Sequence, residues 1–422
     1  MDNKKNGIPK LRFPGFTGAW EQRKITELGK IYIGLVTTMT EHYVNKGTLL
    51  IRNSDIKEGK FEFGENPIFL DESFSEKNKS RMHQIGDVIT VHTGDIGTSA
   101  VITEREANSI GFATIVTRPK KEVISSQYLC TFLNTEQHKK WALSVSTGDG
   151  RNNYNLKDYY RLRVPTPSIE EQQCISDFVG NLDTLITLHQ RKLEHLQEQK
   201  KGLLQKMFPK NGETVPEVRF PGFTDAWEQR KFFDNIEKVI DFRGRTPKKL
   251  GMEWSAEGYT ALSALNVKDG YIDFTADVHY ANQDLYDKWM AGNELYKGQV
   301  LFTTEAPMGN VAQVPDNRKY VLSQRTIAFN VDKTKVTNDF LAVLLRSQNV
   351  QHTLKSLASG GTAQGVSQKS LSQLKVILPI NPKEQQEIGN FFNHFDSLIT
   401  LHQRKLDHLE LMKKGLLQQM FV

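Results

Sequence analysis

From Leu182 onward the apolar residues fall at 182, 186, 193, 196, 203 and 207. This is the alternating four-and-three spacing of a coiled-coil seam, with His189 and Lys200 standing where two further apolar residues belong. The rhythm returns at Phe395, Ile399, Leu406, Leu409, Leu416 and Met420, with His402 and Lys413 in the interrupting places. Prolines at 165, 167 and 209, and at 379 and 382, bracket the two stretches, so the pattern predicts long helices over 168–208 and 381–422. Gly202 and Gly415 each cost about 1 kcal/mol inside a helix, so each helix needs a partner, and the nearest is the other. An antiparallel pair follows, its seam assigned to Leu182, Ile186, His189, Leu193 and Leu196 on one helix and Ile399, His402, Leu406 and Leu409 on the other. The two histidines are read as polar register pins rather than ligands. Arg191, Lys192, Arg404 and Lys405 are expected to face solvent or a docked partner.

The helical stretches are two copies of one sequence. Residues 171–208 return at 384–421 with 25 of 38 positions identical, and "LRFPGFTGAWEQRK" (11–24) returns as "VRFPGFTDAWEQRK" (218–231) with 12 of 14 identical. Between these matches the similarity is faint but in order: "SDIKEGKFEF" (54–63) aligns with "LNVKDGYIDF" (265–274), and "GDVITVHTGDIGTSAVI" (86–102) with "GQVLFTTEAPMGNVAQV" (298–314). Apolar alternation in "DVITVHT" and "QVLFTTE", with "FATIVTRP" and "TIAFNV", predicts short strands. Residues 128–145 and 340–357 have helical spacing, each followed by a Gly-containing loop. The expected architecture is an α+β fold. Two mixed α/β domains, 1–167 and 219–380, are separated by two long antiparallel helices at 168–208 and 381–422, with a linker at 209–218 and a pseudo-two-fold internal repeat. The two middles read as one fold carrying different surfaces.

A chain of 422 residues fits more than one domain. No apolar run approaches the roughly 20 residues needed to span a bilayer, and "MDNKKNGIPKLRF" lacks the apolar core of a signal peptide, so the expectation is a cytoplasmic protein without a membrane partner. Cys130 and Cys174 are the only cysteines, which leaves neither a disulfide framework nor a zinc cluster. The net charge of +6 and pI of about 9.0 favour a polyanionic partner.

Motifs for chemistry are mostly missing. "STGDGRNNY" has Asn153 where a third glycine of a dinucleotide loop would stand, and "GGTAQGVS" has Val366 where a P-loop needs lysine. Glu104 and Glu106 read as a solvated face rather than a catalytic pair. What remains is a binding surface of polar side chains in loops, because Arg can bridge guanine, Asn or Gln adenine, and a carboxylate can accept from cytosine. In the first half the candidates are Arg52, Asn53, His92, Thr93, Asp95, Arg151, Asn152 and Asn153. In the second they are Arg243, Arg245, Thr246, Lys248, Thr304, Glu305, Thr362 and Gln364.

Two variable domains alternating with two near-identical helices, Gly86-Asp-Val-Ile followed by Gly94-x-x-Gly97, its partner Gly298-Gln-Val-Leu, "FRGRTP" at 242–247, and "EEQQ"/"KEQQ" opening each helix together resemble the specificity subunit of type I restriction-modification systems. The resemblance covers essentially the whole chain. It departs in the first half, where "GLVTTMT" (34–40) replaces the Gly-x-Thr-Pro pattern, and in the second, where Ala306 stands in place of Gly94. The resemblance implies a non-catalytic reader of double-stranded DNA, each target-recognition domain taking one half of an asymmetric bipartite sequence. The helices would set the spacing and dock two copies of an adenine methyltransferase subunit and, through them, a restriction (motor and nuclease) subunit. No cofactor is then expected in this chain; S-adenosylmethionine belongs to the methyltransferase subunit, and ATP and Mg2+ to the restriction subunit. The competing reading is a coiled-coil scaffold or adaptor whose terminal domains bind proteins.

Overall fold

The computed structural model describes residues 7–147, 152–359 and 364–421. The chain divides into two compact units, one of residues 1–188 with 405–422 and the other of 189–404.

The first unit is built on a four-stranded antiparallel sheet in the order Gly29–Ile33, Ile115–Pro119, Val88–Thr90, Ser99–Val101. The alternating side chains of these strands supply two separate cores. Val88 and Ile115 face a cluster with Leu129, Leu133 and Tyr128 of the helix Ser126–Leu133, while Ile89 and Val116 face a second cluster with Ile51, Val91 and Ala100. Neither sheet face is solvated in its middle, so the apolar runs reflect burial on both sides, not a wet face alternating with a dry one. A smaller sheet, with Ile110–Phe112 parallel to Thr48–Arg52, lies beyond. Helices in this unit begin at Ser125 and Thr135, whose side chains accept the backbone N–H groups of Tyr128 and His138.

The second unit repeats the plan. Its sheet runs Ile236–Asp241, Thr326–Val331, Val300–Thr303, Val311–Gln313, again all antiparallel. Val300, Phe302, Ile327 and Phe329 enter the core under the helix Asn338–Arg346, and Leu301 and Ala328 the opposite core, which holds Leu262, Tyr286 and Trp289. Tyr259–Leu262 pairs in parallel with Val321–Leu322, as Thr48–Arg52 does with Ile110–Phe112. The turn at Ala306 keeps the left-handed backbone of Gly94, with φ of 45° against 100°. The glycine is replaced, but its conformation is not.

The long helices span Ile169–Lys206 and Pro382–Met420, and each unit contains one stretch of both, running antiparallel. In the first unit Ile175 shares a core with Met420 and Phe421, and Lys413 Nζ lies 2.5 Å from Asp183. In the second, Ile388 and Phe392 share a core with Met207 and Phe208, and Lys200 Nζ lies 2.5 Å from Asp396. The lysines that interrupt the apolar rhythm thus meet aspartates of the opposite helix. His189 Nδ1 stands 2.8 Å from His402 Nδ1 in the second unit, each imidazole meeting its counterpart from the other copy of "LITLHQRKL". Leu182, Leu193, Leu196 and Leu406 are buried, Ile186, Ile399 and Leu409 half-buried, and Arg191, Lys192, Arg404 and Lys405 exposed.

The strongest repeats outside the seam fasten helix to domain. Glu171, 1% exposed, takes two hydrogen bonds of 2.7 Å from the Arg12 guanidinium and one of 3.2 Å from Trp20 Nε1. Glu384, also 1% exposed, takes 2.6 and 2.8 Å bonds from Arg219 and 3.2 Å from Trp227. The neighbouring Gln172 and Gln385 each accept a backbone N–H, from Ser125 and Thr337, and donate to two carbonyls. "RFPGFT…AW" and "EQQ" are therefore two halves of one buried clamp, made once per unit.

Candidate nucleic-acid interface

In the first unit the polar loops converge through a chain of hydrogen bonds. The loop after Thr48–Arg52 carries Asn53, whose Oδ1 accepts the His92 backbone N–H at 2.8 Å and whose Nδ2 donates to the Ala113 carbonyl. His92 Nδ1 lies 2.8 Å from Thr93 Oγ1, and that hydroxyl donates to Asn153 Oδ1 at 2.8 Å. Backbone bridges from Asn153 to Thr93 and Thr147 complete the arrangement. Thus the turn that follows the central strand is stitched to the loop that follows the second helix. The tips that stay exposed are Asp95 and Asn152, the former held by a 2.7 Å bond from Thr98. Arg52 is half-buried and grips Asp55 with bonds of 2.9 and 3.1 Å, which raises the guanidinium's already high pKa. Its charge is fixed, but its bidentate face is already occupied. Burial lowers the pKa of His92, so its ring presents one donor and one acceptor at neutral pH. Arg151 lies outside the described residues.

The second unit makes the same stitch with other residues: Glu305 and Ser359 both bridge Gly365. Here several of the sequence candidates serve the scaffold. Thr304 is 2% exposed and donates to the Arg325 carbonyl at 3.2 Å, so it secures the turn instead of reaching outward. Arg245 packs over Phe242 at 4.5 Å and donates to the Trp289 carbonyl. Thr246 caps a turn by accepting from the Lys249 N–H. Arg243 grips Asp241 at 2.5 Å; burial pushes that carboxyl up, and bonds from Arg243 and Gln368 outweigh it and hold its pKa below the ordinary range. Lys248 and Gln364 are exposed and Glu305 half-buried; Thr362 lies outside the described residues.

Two features escaped the sequence reading. Glu106 is 6% exposed and accepts a 2.5 Å bond from the Thr103 hydroxyl, closing a turn, so only Glu104 belongs to a solvated face. More consequentially, the second unit holds a cavity of about 650 Å³ lined by Trp254, His279, Trp289, Lys248 and Arg325 among others. Of its lining, Thr246 and Lys248 were sequence candidates. The rest come from a helix, a turn and connecting segments with no shared spacing.

The comparisons agree with this geometry. A family model described as the type I restriction modification DNA specificity domain matches residues 18–198 and again 226–411. A putative type I restriction enzyme MjaX specificity subunit of Methanocaldococcus jannaschii is 23% identical over 412 residues, covering 94% of this chain and 92% of its own length. The MjaVIII specificity subunit of the same organism is 23% identical over 71% of this chain and 70% of its own. Among solved structures, a type I restriction-modification S subunit from M. genitalium superposes with a TM-score of 0.61 at 14% identity, over 98% of this chain and 99% of that one. A chain from a structure on assembly and conformational transition of the type I system gives 0.52 at 16% identity, over 97% and 98%. Among the described residues no helix is long and apolar enough to cross a membrane.

Proposed function

This chain belongs to the type I restriction-modification DNA specificity family, and from that premise we propose that each unit reads one half of an asymmetric, bipartite duplex sequence. The role is recognition rather than catalysis, as it is for the specificity subunits that the chain matches. The observation that carries the reading is the stitched pair of loops, present in both units on the same strand plan. One carries Thr93 and Asn153, the other Glu305 and Gly365. A shared frame with unlike tips suits two unlike half-sites, since base edges are told apart by donor and acceptor pattern.

The rest follows from the repeated frame. Two copies of one helical sequence offer one kind of partner two equivalent places, so the helices carry two methyltransferase subunits, with Arg191, Lys192, Arg404 and Lys405 exposed for docking. These subunits bring S-adenosylmethionine and methylate adenine; a restriction subunit that uses ATP and Mg2+ joins through them. The distance between half-sites is set by the helices. Phosphate contacts from the basic surface make binding weaken as salt rises.

Mapping methylated adenines across the host genome, with the gene intact and deleted, tests the proposal. An asymmetric motif of two short specified blocks around an unspecified gap is expected to disappear on deletion. A methylation pattern unchanged by deletion sinks it.

A further inference from the structure

Resting on the half-site reading of the second unit, we propose that its 650 Å³ cavity receives a nucleobase turned out of the duplex. The volume falls within the range of small-molecule pockets, roughly 300–1,000 Å³. Its aromatic surface is made by Trp254 and by His279, which lies nearly parallel to Trp254 at 5.4 Å and 17°, while the fully buried Trp289, 5.5 Å from Trp254, backs that indole from the core. Trp289 is anchored by donating its indole N–H to the Leu322 carbonyl at 2.8 Å. The Trp254 indole thus already takes a flat heteroaromatic ring as neighbour, and His279 is itself exposed.

The charges select among ligands. The lining holds Lys248 and Arg325 together with Glu253 and Asp277, so its fixed charges cancel. A cancelled rim is a poor phosphate site and a good one for a neutral ring whose edge carries both donors and acceptors. Asp277 is held in place by 3.1 Å from His279 Nε2 and 2.7 Å from the Ser263 hydroxyl. The backbone adds a third observation. Of the six non-glycine residues with left-handed φ among the described residues, three line this cavity: Asp277 at 45°, Ala306 at 45° and Arg325 at 64°. Such conformations cost free energy and gather where function requires them. Extruding a base costs unpairing and unstacking, and aromatic faces repay part of it.

The test uses the full chain in complex with its methyltransferase subunits, on duplexes carrying the mapped motif. A mismatch introduced at each position of the second half-site in turn prepays the unpairing at an extruded base and spoils recognition at an ordinary one. Besides the adenine that is methylated, one further position is expected to bind about tenfold tighter when mismatched. Trp254→Ala is expected to abolish the gain at that position, leave the gain at the methylated adenine, and weaken the matched duplex roughly tenfold to a hundredfold. Trp254→Phe, which keeps a stacking face, restores much of both, which separates stacking from misfolding. If the wild type binds the bipartite site but no such position exists, or its gain survives Trp254→Ala, the base pocket is refuted while half-site reading stands. If the complex shows no preference for the motif, the functional reading itself fails. Quenching of the indoles by free nucleoside monophosphates, with competition against DNA independent of position, would make this a free-nucleotide site and overturn the proposal.

Discussion

Mild acid should loosen the first unit before the second. Two histidines of the first unit, His83 and His138, are buried and held neutral, their pKa values lowered to about 4 chiefly by desolvation. His83 has one ring nitrogen 2.8 Å from the Ser109 hydroxyl and the other buried without a partner, so protonation would strand a charged donor. His138 sits between the Leu133 carbonyl at 2.6 Å and the Tyr154 hydroxyl at 3.2 Å. The equivalent positions of the second unit are Leu295 and Val350, both buried and apolar. A histidine that binds its proton less readily folded than unfolded contributes its full stability above about pH 6.5 and loses it as pH falls toward 4. At pH 5 the gap from the ordinary 6.5 amounts to roughly 2 kcal/mol per histidine, so roughly 4 for the pair. Against a typical domain stability of about 5–15 kcal/mol, that is a large fraction. Hydrogen exchange on the full chain between pH 7.5 and 5, corrected for intrinsic rates, should show protection falling in 126–145 while 338–357 hold. His83→Leu with His138→Val, which install the second unit's residues, should remove the difference. Equal loss in both units, or a difference that survives the double substitution, would refute the reasoning.

The buried clamp gives a paired prediction: Glu384→Ala strands the Arg219 charge and should destabilise the second unit by about 3–5 kcal/mol, while Arg219→Met with Glu384→Leu recovers most of it. Denaturant unfolding followed by tryptophan fluorescence reads the difference, and Glu171 with Arg12 should behave alike in the first unit. Glycines of the long helices should divide by environment. An added Cβ at Gly202 or Gly415 meets nothing within 4 Å, so alanine there should stabilise by up to about 1 kcal/mol, whereas at Gly389 it would lie 2.6 Å from Asp339 Cβ. Gly389→Ala should therefore cost about 1–3 kcal/mol, seen as a lowered thermal midpoint.

The long helices were legible because their signal is local and stated twice: in each copy the apolar spacing and the prolines beside it lie along one continuous stretch of chain, and the two copies are near-identical. The strands were legible for their residue types, but their burial on both faces depends on the small sheets and helices that cover them, which no single stretch reveals. The clamp was visible only as repetition. Arg12 and Glu171 stand 159 residues apart, and nothing local marks them as partners. In the candidate interface, Asn53, His92, Thr93 and Asn153 advertised themselves as polar loop residues, and hydrogen bonds do join them. Thr304 and Arg245 looked the same in sequence and serve the scaffold, because polarity cannot distinguish a side chain facing outward from one satisfying a buried carbonyl. Trp254, His279 and Arg325 read as ordinary residues until the fold gathered them around one cavity.

The central claim is that two units of one design read two different half-sites. Exchanging residues 219–378 for the same region of a relative with a different motif, then sequencing methylated adenines in cells carrying the hybrid, tests it most directly. One block of the motif should change to the relative's, with the other block and the gap retained. A motif changed in both blocks, or in neither, would contradict the account.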